Sequence, residues 1–280
     1  MLGAAALWGT IGLFVGALFQ RGLEPLEVAF WRAALGAVPF ALDALLRGCW
    51  RVDARREGPA LLGFALVGVT GFYAALPLAI AAGGVSLATV LLYTAPAWVV
   101  LLARPVLGEA LSLWRLGLCA LALAGVALLA LGGGQGVQVS GASLGWGLAA
   151  GLAYATYYLA GKPLFARIEP RRALPWVLPL GALGLRPLAR PRLPADPATW
   201  ALLGGLAVVC TWLPFRLYAA GLQRGEASRA ALLATLEPVV GLALAAAVLG
   251  ERLDPAGLLG SGLVLLSAAG AAWSPRRPAG

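Results

Sequence analysis

The chain has 280 residues, 61% of them hydrophobic and only 12% charged, with a net charge of +9 and a mean hydropathy of +0.86. A soluble domain carries about twice that charge fraction, so these values exclude an ordinary aqueous globule and predict an integral membrane protein. The three cysteines (Cys49, Cys119 and Cys210) have no pair spacing and histidine is absent, which argues against zinc, haem or redox chemistry and leaves no cofactor or metal to expect.

Ten apolar runs near twenty residues each are long enough to cross ~30 Å of hydrocarbon at about 1.5 Å per residue. Span 1 covers Leu2 to Gln20 and lacks the basic flank and small-residue cleavage pattern of a secretory signal. Span 2 is Leu26 to Leu46, with Pro25 at the helix start, where a missing N–H is harmless. A basic loop from Arg47 to Gly58 leads to span 3, Pro59 to Ala82; a Gly83-Gly84 turn leads to span 4, Val85 to Ala103; and span 5 is Leu113 to Leu131. The glycine-rich segment from Gly132 to Gly136 reads as a flexible join. Span 6 is Leu144 to Gly161, followed by a basic loop from Lys162 to Arg172. Span 7, Ala173 to Ala189, is short and interrupted by Pro175, Pro179 and Pro187, which predicts a tilted or distorted helix. Spans 8, 9 and 10 are Thr199 to Leu222, Arg229 to Leu249 and Ala256 to Trp273.

With the amino terminus in the cytoplasm, fourteen Lys/Arg fall on the inner side and five on the outer, while Arg32 and Arg216 lie within spans. That asymmetry predicts both termini inside the cytoplasmic membrane. It also explains the net charge better than nucleic acid does, so a lipid bilayer and a small molecule are the expected partners. The composition does not fix the oligomeric state.

The stretch from Ser86 to Glu109 recurs from Ser228 to Glu251. Pro96 and Pro238, Gly108 and Gly250, and Glu109 and Glu251 all share one constant offset, close to half the chain. At the same offset Tyr73-Ala74-Ala75-Leu76 falls on Phe215-Arg216-Leu217-Tyr218; the signal fades in the first spans, where Trp8 and Tyr154 match only when the offset is lengthened. A duplicated unit of five spans must enter the membrane upside down relative to the first copy. The expected fold is therefore an all-α integral membrane protein with ten transmembrane helices in two inverted five-helix repeats, residues 1–134 and 143–274, and a site near the midplane.

Trp8-Gly9, Phe30-Trp31-Arg32, Pro96 followed by Leu107-Gly108-Glu109, and Glu237-Pro238 followed by Leu249-Gly250-Glu251-Arg252 together resemble the EamA family of the drug/metabolite transporter superfamily. The resemblance spans nearly the whole chain. It implies ten spans in two inverted halves and export of small metabolites, often amino acids or related compounds, by a protein that is not an enzyme.

Charges inside apolar spans cost ~2.5–3.5 kcal/mol on insertion scales and are usually hidden in a bundle or wet cavity. Arg32, with Glu27 on a nearby face, and the pair Arg216 and Glu237 on adjoining spans 8 and 9 are the candidates; an Arg216–Glu237 ion pair is expected, either locking two helices or serving a substrate. In the functional reading Arg216 or Arg32 engages a substrate carboxylate, and protonation of Glu237 changes which way a cavity opens. Pro96 and Pro238 free helical carbonyls at matched sites, which points to kinks used in gating. Trp8, Tyr73, Tyr93, Tyr154, Tyr157 and Trp212 lie inside spans, where they either line an amphipathic pocket or pack the core. The pairs Gly12/Gly16 and Gly147/Gly151 are expected to let helices pack closely, and Glu109 and Glu251 to satisfy donors at helix starts.

The expected activity is alternating-access secondary transport driven by a gradient, because no phosphate-binding Gly-x-x-x-x-Gly-Lys-Ser/Thr loop is present. Proton exchange is the first candidate for coupling. A passive channel or facilitator is the rival, and a membrane enzyme or scaffold a more distant one. The residues alone do not choose the substrate, the coupling ion or the direction of flux.

Overall fold

The computed structural model describes residues 1–132, 138–249 and 255–273, and among them every regular element is helical. In chain order these are α1 (Leu2–Gly9), α2 (Ile11–Gln20), α3 (Pro25–Leu46), α4 (Gly58–Phe64), a π segment (Ala65–Gly71), α5 (Phe72–Leu92), α6 (Ala95–Leu107), α7 (Leu113–Gly132) and α8 (Gly141–Leu159). Then come α9 (Gly161–Arg167), α10 (Pro170–Ala189), α11 (Pro197–Ala207), a second π segment (Val208–Trp212), α12 (Leu213–Arg224), α13 (Ala227–Ala234), α14 (Glu237–Leu249) and α15 (Pro255–Trp273). Among the described residues seven helical stretches are long and apolar enough to cross a membrane, and Ala95–Leu107 is a shorter apolar helix. Leu113, Trp114, Leu258, Leu266 and Trp273 are more than half exposed, as suits helices whose outer faces meet lipid. The chain is a multi-pass helical membrane protein. The glycine-rich join beyond Gly132, and Gly250, Glu251, Arg252, Arg276 and Arg277, lie outside the described residues.

Contacts fix the relative directions of the helices. The Ser267 hydroxyl of α15 donates to the Leu118 carbonyl of α7 at 2.8 Å, while Gly260 lies against Gly125, so the two helices run antiparallel. Likewise Glu27 at one end of α3 meets Arg192 beyond the end of α10, and Asp43 at the other end meets Arg171 at its start. Among the described residues, α1 packs on α12 and α14, and α8 on α5 and α6. Each such contact joins the first part of the chain to the second.

Two interruptions explain the shape of the centre. The turn at Tyr93-Thr94 separates α5 from α6, and the turn at Thr235-Leu236 separates α13 from α14, each directly before the Pro96 and Pro238 segments. A proline cannot donate to the carbonyl four residues back. The hydroxyls of Thr94 and Thr235 bond the carbonyls of Leu91 and Leu232 at 2.6 and 2.7 Å, which helps close each break. Small residues sit where a neighbouring helix crosses the breaks. A Cβ on Gly151 would come within 2.6 Å of the Leu91 carbonyl and 2.7 Å of the Thr94 hydroxyl, and one on Gly9 within 2.9 Å of the Glu237 carbonyl. Gly9 and Gly151 are separated by the same offset as Pro96 and Pro238, so these two close contacts stand at matched positions in the chain. Gly147 packs on Leu91 as expected, but Gly12 and Gly16 have nothing within 4 Å and are not helix-contact sites. Gly151→Leu is expected to lose most folded protein, since overpacking costs about 1–3 kcal/mol even where the neighbour is a side chain and here it is backbone; Gly12→Leu should leave the yield in fluorescence-detected size exclusion unchanged.

The Gly83-Gly84 turn is present, with Gly84 at φ 85°, a region that disfavours residues with a Cβ. Two expectations need correction. Residues 162–172 are not simply a loop, because Gly161–Arg167 is helical. Span 7 is an unbroken helix from Pro170, with Pro175, Pro179 and Pro187 inside it. Each proline removes one donor but its fixed φ is already helical, and α10 is held by packing: the Thr70 hydroxyl donates to the Gly181 carbonyl at 2.9 Å, and Gly181 and Gly184 take Val69 and Thr70 against their backbones.

Glu109 does satisfy a helix start, but one far along the chain. Its carboxylate accepts from the Ala227 N–H at 2.5 Å, the Ser228 N–H at 3.1 Å and the Ser228 hydroxyl at 2.5 Å, at the head of α13. Arg115 donates to Ser228 and pairs with Glu226. A carboxylate suits the positive end of a helix, and this one fastens α6 to α13 across the molecule. Glu109→Ala is expected to lower stability by about 2 kcal/mol, the upper range for a lost cap, read as a lower thermal midpoint in detergent.

Candidate functional site

A central cavity of about 100 Å³ opens where α1, the start of α2, α3, α5, α8, α12 and α14 converge beside the two breaks. It is lined by Trp8, Ile11, Arg32, Phe72, Tyr73, Leu76, Leu92, Tyr154, Tyr157, Phe215 and Glu237. The wall is aromatic with two charges in it.

Arg32 is held by the second π segment. Its Nη2 donates to the Cys210 carbonyl at 3.1 Å and its Nε to the Thr211 hydroxyl at 3.2 Å, while its Cζ lies 4.9 Å from the centre of the Tyr73 ring. The carbonyl is available because its α-helical donor would be residue 214, which is proline and has no N–H; π winding here shifts the ladder further, a feature common at functional sites. Gly36, one turn beyond Arg32, allows the approach, since a Cβ there would sit 2.7 Å from the Thr211 methyl. Thr211 itself donates to the Leu206 carbonyl at 3.2 Å, so the guanidinium is fixed through a bonded chain.

Glu237 faces the same cavity from the first turn of α14, just past the Thr235-Leu236 turn, where the exposed N–H groups favour negative charge. The Tyr154 hydroxyl donates to Oε2 at 3.4 Å, the Tyr158 hydroxyl donates to Tyr154 at 3.4 Å, and the Tyr93 hydroxyl lies beside the carboxylate. Arg32 and Glu237 make no direct ion pair, so the cavity separates a cationic from an anionic wall. The buried hydroxyls of Tyr73 and Tyr157 lie beside each other on the wall, and neither makes a hydrogen bond of ordinary length to another group among the described residues. Leaving such a group unpaired costs about 1–3 kcal/mol, and the geometry offers both to a polar group in the cavity.

Of the residues expected from sequence, Trp8, Arg32, Tyr73, Tyr154, Tyr157 and Glu237 line this cavity and Tyr93 stands directly behind Glu237. Pro96 and Pro238 do not line it; they begin the half-helices at the breaks. Arg216 and Trp212 go elsewhere. Arg216 lines a separate cavity of about 300 Å³ with Asp43, Glu169 and Arg171, and its Cζ lies 5.0 Å from the centre of the Trp212 ring. The expected Arg216–Glu237 pair is absent because a helix turns about 100° per residue: Phe215 takes the central face of α12 and Arg216 the next. Glu27 is likewise committed, accepting from the Arg192 N–H at 2.8 Å and its guanidinium at 3.0 Å. Phe215, Phe72, Ile11, Leu76 and Leu92 were not anticipated. The repeat carried a signal for one of them, since Phe215 is the counterpart of Tyr73 in the second copy.

About 100 Å³ is the share of roughly three water molecules. A helical membrane protein with a buried, polarised cavity at paired helix breaks is a membrane transporter in class. The chain belongs to the EamA-like transporter family, whose model matches residues 1–131 and again 141–273. A transporter of Archaeoglobus fulgidus is 30% identical over 264 residues, covering 94% of this chain and 91% of its own, and its name, "Uncharacterized transporter", assigns no substrate. The transporter YwfM of Bacillus subtilis, also uncharacterized by name, is 28% identical over 98% of this chain and 93% of its own. A solved crystal structure of another protein shares the fold with a TM-score of 0.81 at 19% identity, covering 96% of this chain and 95% of that one.

Proposed function

We propose that this protein is a secondary transporter that carries a small amphipathic zwitterion, an amino acid or a related compound, across the cytoplasmic membrane by alternating access. The observation that carries the reading is the central cavity, with Arg32, Glu237 and the hydroxyls of Tyr73 and Tyr157 on its wall. An acidic group suits Arg32 and the hydroxyls, and an amine suits Glu237 and Tyr154; apolar parts suit Trp8, Phe72 and Phe215. Outward transport follows from the family resemblance, and exchange of a proton at Glu237 supplies the driving force.

The architecture we propose is ten crossings in two inverted five-helix repeats, residues 1–134 and 143–274, with both termini cytoplasmic. The antiparallel pairing of α7 with α15 and of α3 with α10 supports it, as do helix breaks and close-packed glycines that recur at one shared offset. No catalytic residue and no cofactor belong to this reading. The test is uptake into proteoliposomes loaded with a panel of amino acids, purines and their analogues. A substrate that shows counterflow and accumulates against its gradient when a proton gradient is imposed agrees with the proposal. Counterflow without accumulation makes the protein a facilitator, and no flux with any compound removes the transport reading of the cavity.

A further inference from the structure

The largest cavity described is not the central one. A groove of about 700 Å³ runs along the outside of the helix pair α4 and α8–α9, with Ala60, Gly63 and Val67 on one side and Thr156, Ala160 and Pro163 on the other. Its floor is the buried ring of Phe64, which meets Tyr157 of the central cavity edge to face at 5.7 Å. Gly63 has nothing within 4 Å of a Cβ, so a missing side chain forms part of the hollow. From Glu57 to Val67 the groove spans eleven residues, ten steps of about 1.5 Å or roughly 15 Å, half of a ~30 Å hydrocarbon layer.

The charges at its mouth are unequal. Asp53 is engaged, accepting from the N–H groups of Arg55 and Arg56 and lying 3.9 Å from the Arg56 guanidinium. Glu57 is also engaged, accepting from the Asp53 N–H and pairing with Arg172 at 3.1 Å. Arg167 is exposed at the same mouth and makes no ion pair among the described residues. The carboxylates are thus used within the protein, leaving guanidinium donors for an outside acceptor.

We propose that this groove binds one anionic phospholipid of the leaflet facing the 47–57 loop, with an acyl chain over Gly63 and Val67 and its phosphodiester on Arg167, and with the exposed Arg56, held by Asp53 only at 3.9 Å, as a second donor. The depth of one leaflet, the apolar walls and the spare cations all fit that ligand. Basic pockets between membrane helices bind anionic headgroups for the same reason, and an ethanolamine or choline ammonium would find no free carboxylate here. The site is distinct from the central cavity and does not depend on which solute is carried.

The test uses the full chain purified in a maltoside detergent, with thermal unfolding followed while phosphatidylglycerol, phosphatidylethanolamine or phosphatidylcholine of matched chains is titrated in. Phosphatidylglycerol is expected to raise the midpoint saturably by about 2–4 °C, the shift that about 1 kcal/mol gives for a chain of this size class, with less than half of that for the other two lipids. Arg167→Gln should remove most of the phosphatidylglycerol shift. Gly63→Leu, which fills the groove while both arginines remain, should remove it too; Ala60→Phe fills the other end of that wall if the leucine lowers the midpoint in detergent alone. Glycerol phosphate without acyl chains should give no shift. Equal shifts from all three lipids, or a full shift in both the Arg167 and a groove-filling variant, would overturn the proposal.

Discussion

Replacing Arg32 by glutamine is expected to cut flux of the transported solute by about 30-fold or more, because truncating one partner of a buried charge pair, here the pair with the solute's acidic group, costs about 2–5 kcal/mol and each 1.4 kcal/mol is a factor of about ten. Among the described residues the guanidinium is the one cation on the cavity wall, which it shares with the Glu237 carboxylate. Glutamine keeps a donor for the Cys210 carbonyl but removes the charge and the fork that also reaches Thr211. Lysine restores the charge as a single point donor, so Arg32→Lys should recover part of the flux, and Thr211→Val, which releases Nε, should fall between the two. The measurement is initial uptake in proteoliposomes at equal protein, with folding checked by size exclusion. Wild-type flux in Arg32→Gln would sink the assignment of Arg32 to the solute, while loss of flux in Arg216→Gln as severe as that in Arg32→Gln would move the site to the other cavity.

Glu237→Gln should flatten the pH dependence of transport and abolish accumulation driven by a proton gradient, while leaving solute exchange within a few-fold of normal. The amide is nearly isosteric and can still accept from the Tyr154 hydroxyl, so the cavity keeps its shape and only the exchangeable proton is lost. The groups that set this site are Arg32 across the cavity and the hydroxyls of Tyr93 and Tyr154 beside it; Tyr154→Phe and Tyr93→Phe, which keep the rings, are expected to shift the pH profile and not to erase it. A Glu237→Gln protein with an unchanged pH profile and full accumulation would place the coupling elsewhere.

Much of the architecture was legible because hydrophobic length and helix breakers act locally. An apolar run near twenty residues has few alternatives in a bilayer, where every backbone group must be satisfied within the segment, and prolines at matched positions announced both breaks. The interior aromatics were ambiguous in sequence, since a tyrosine in a span either packs or lines a pocket; the structure puts five of the six at or behind the cavity and sends Trp212 to Arg216. Proline density hid the continuity of α10, because the sequence does not show that Val69 and Thr70 pack against its backbone at Gly181 and Gly184.

By itself the sequence determined the membrane environment, the recurrence of one proline-to-glycine-glutamate pattern and the short set of charges that a bilayer would not tolerate uncompensated. It did so because burial cost and helix geometry depend on residues close together in the chain. Which charge meets which was decided only in three dimensions. Arg32, near the start of the chain, reaches Cys210 and Thr211 far along it, and Glu109 caps a helix in the other half of the chain. A turn of about 100° per residue separates Phe215 from Arg216, and so the cavity wall from its neighbour. Those facings follow from how the packed helices are rotated about their axes, and close glycine contacts at Gly9, Gly36 and Gly151 set that rotation across parts of the chain that no local pattern connects.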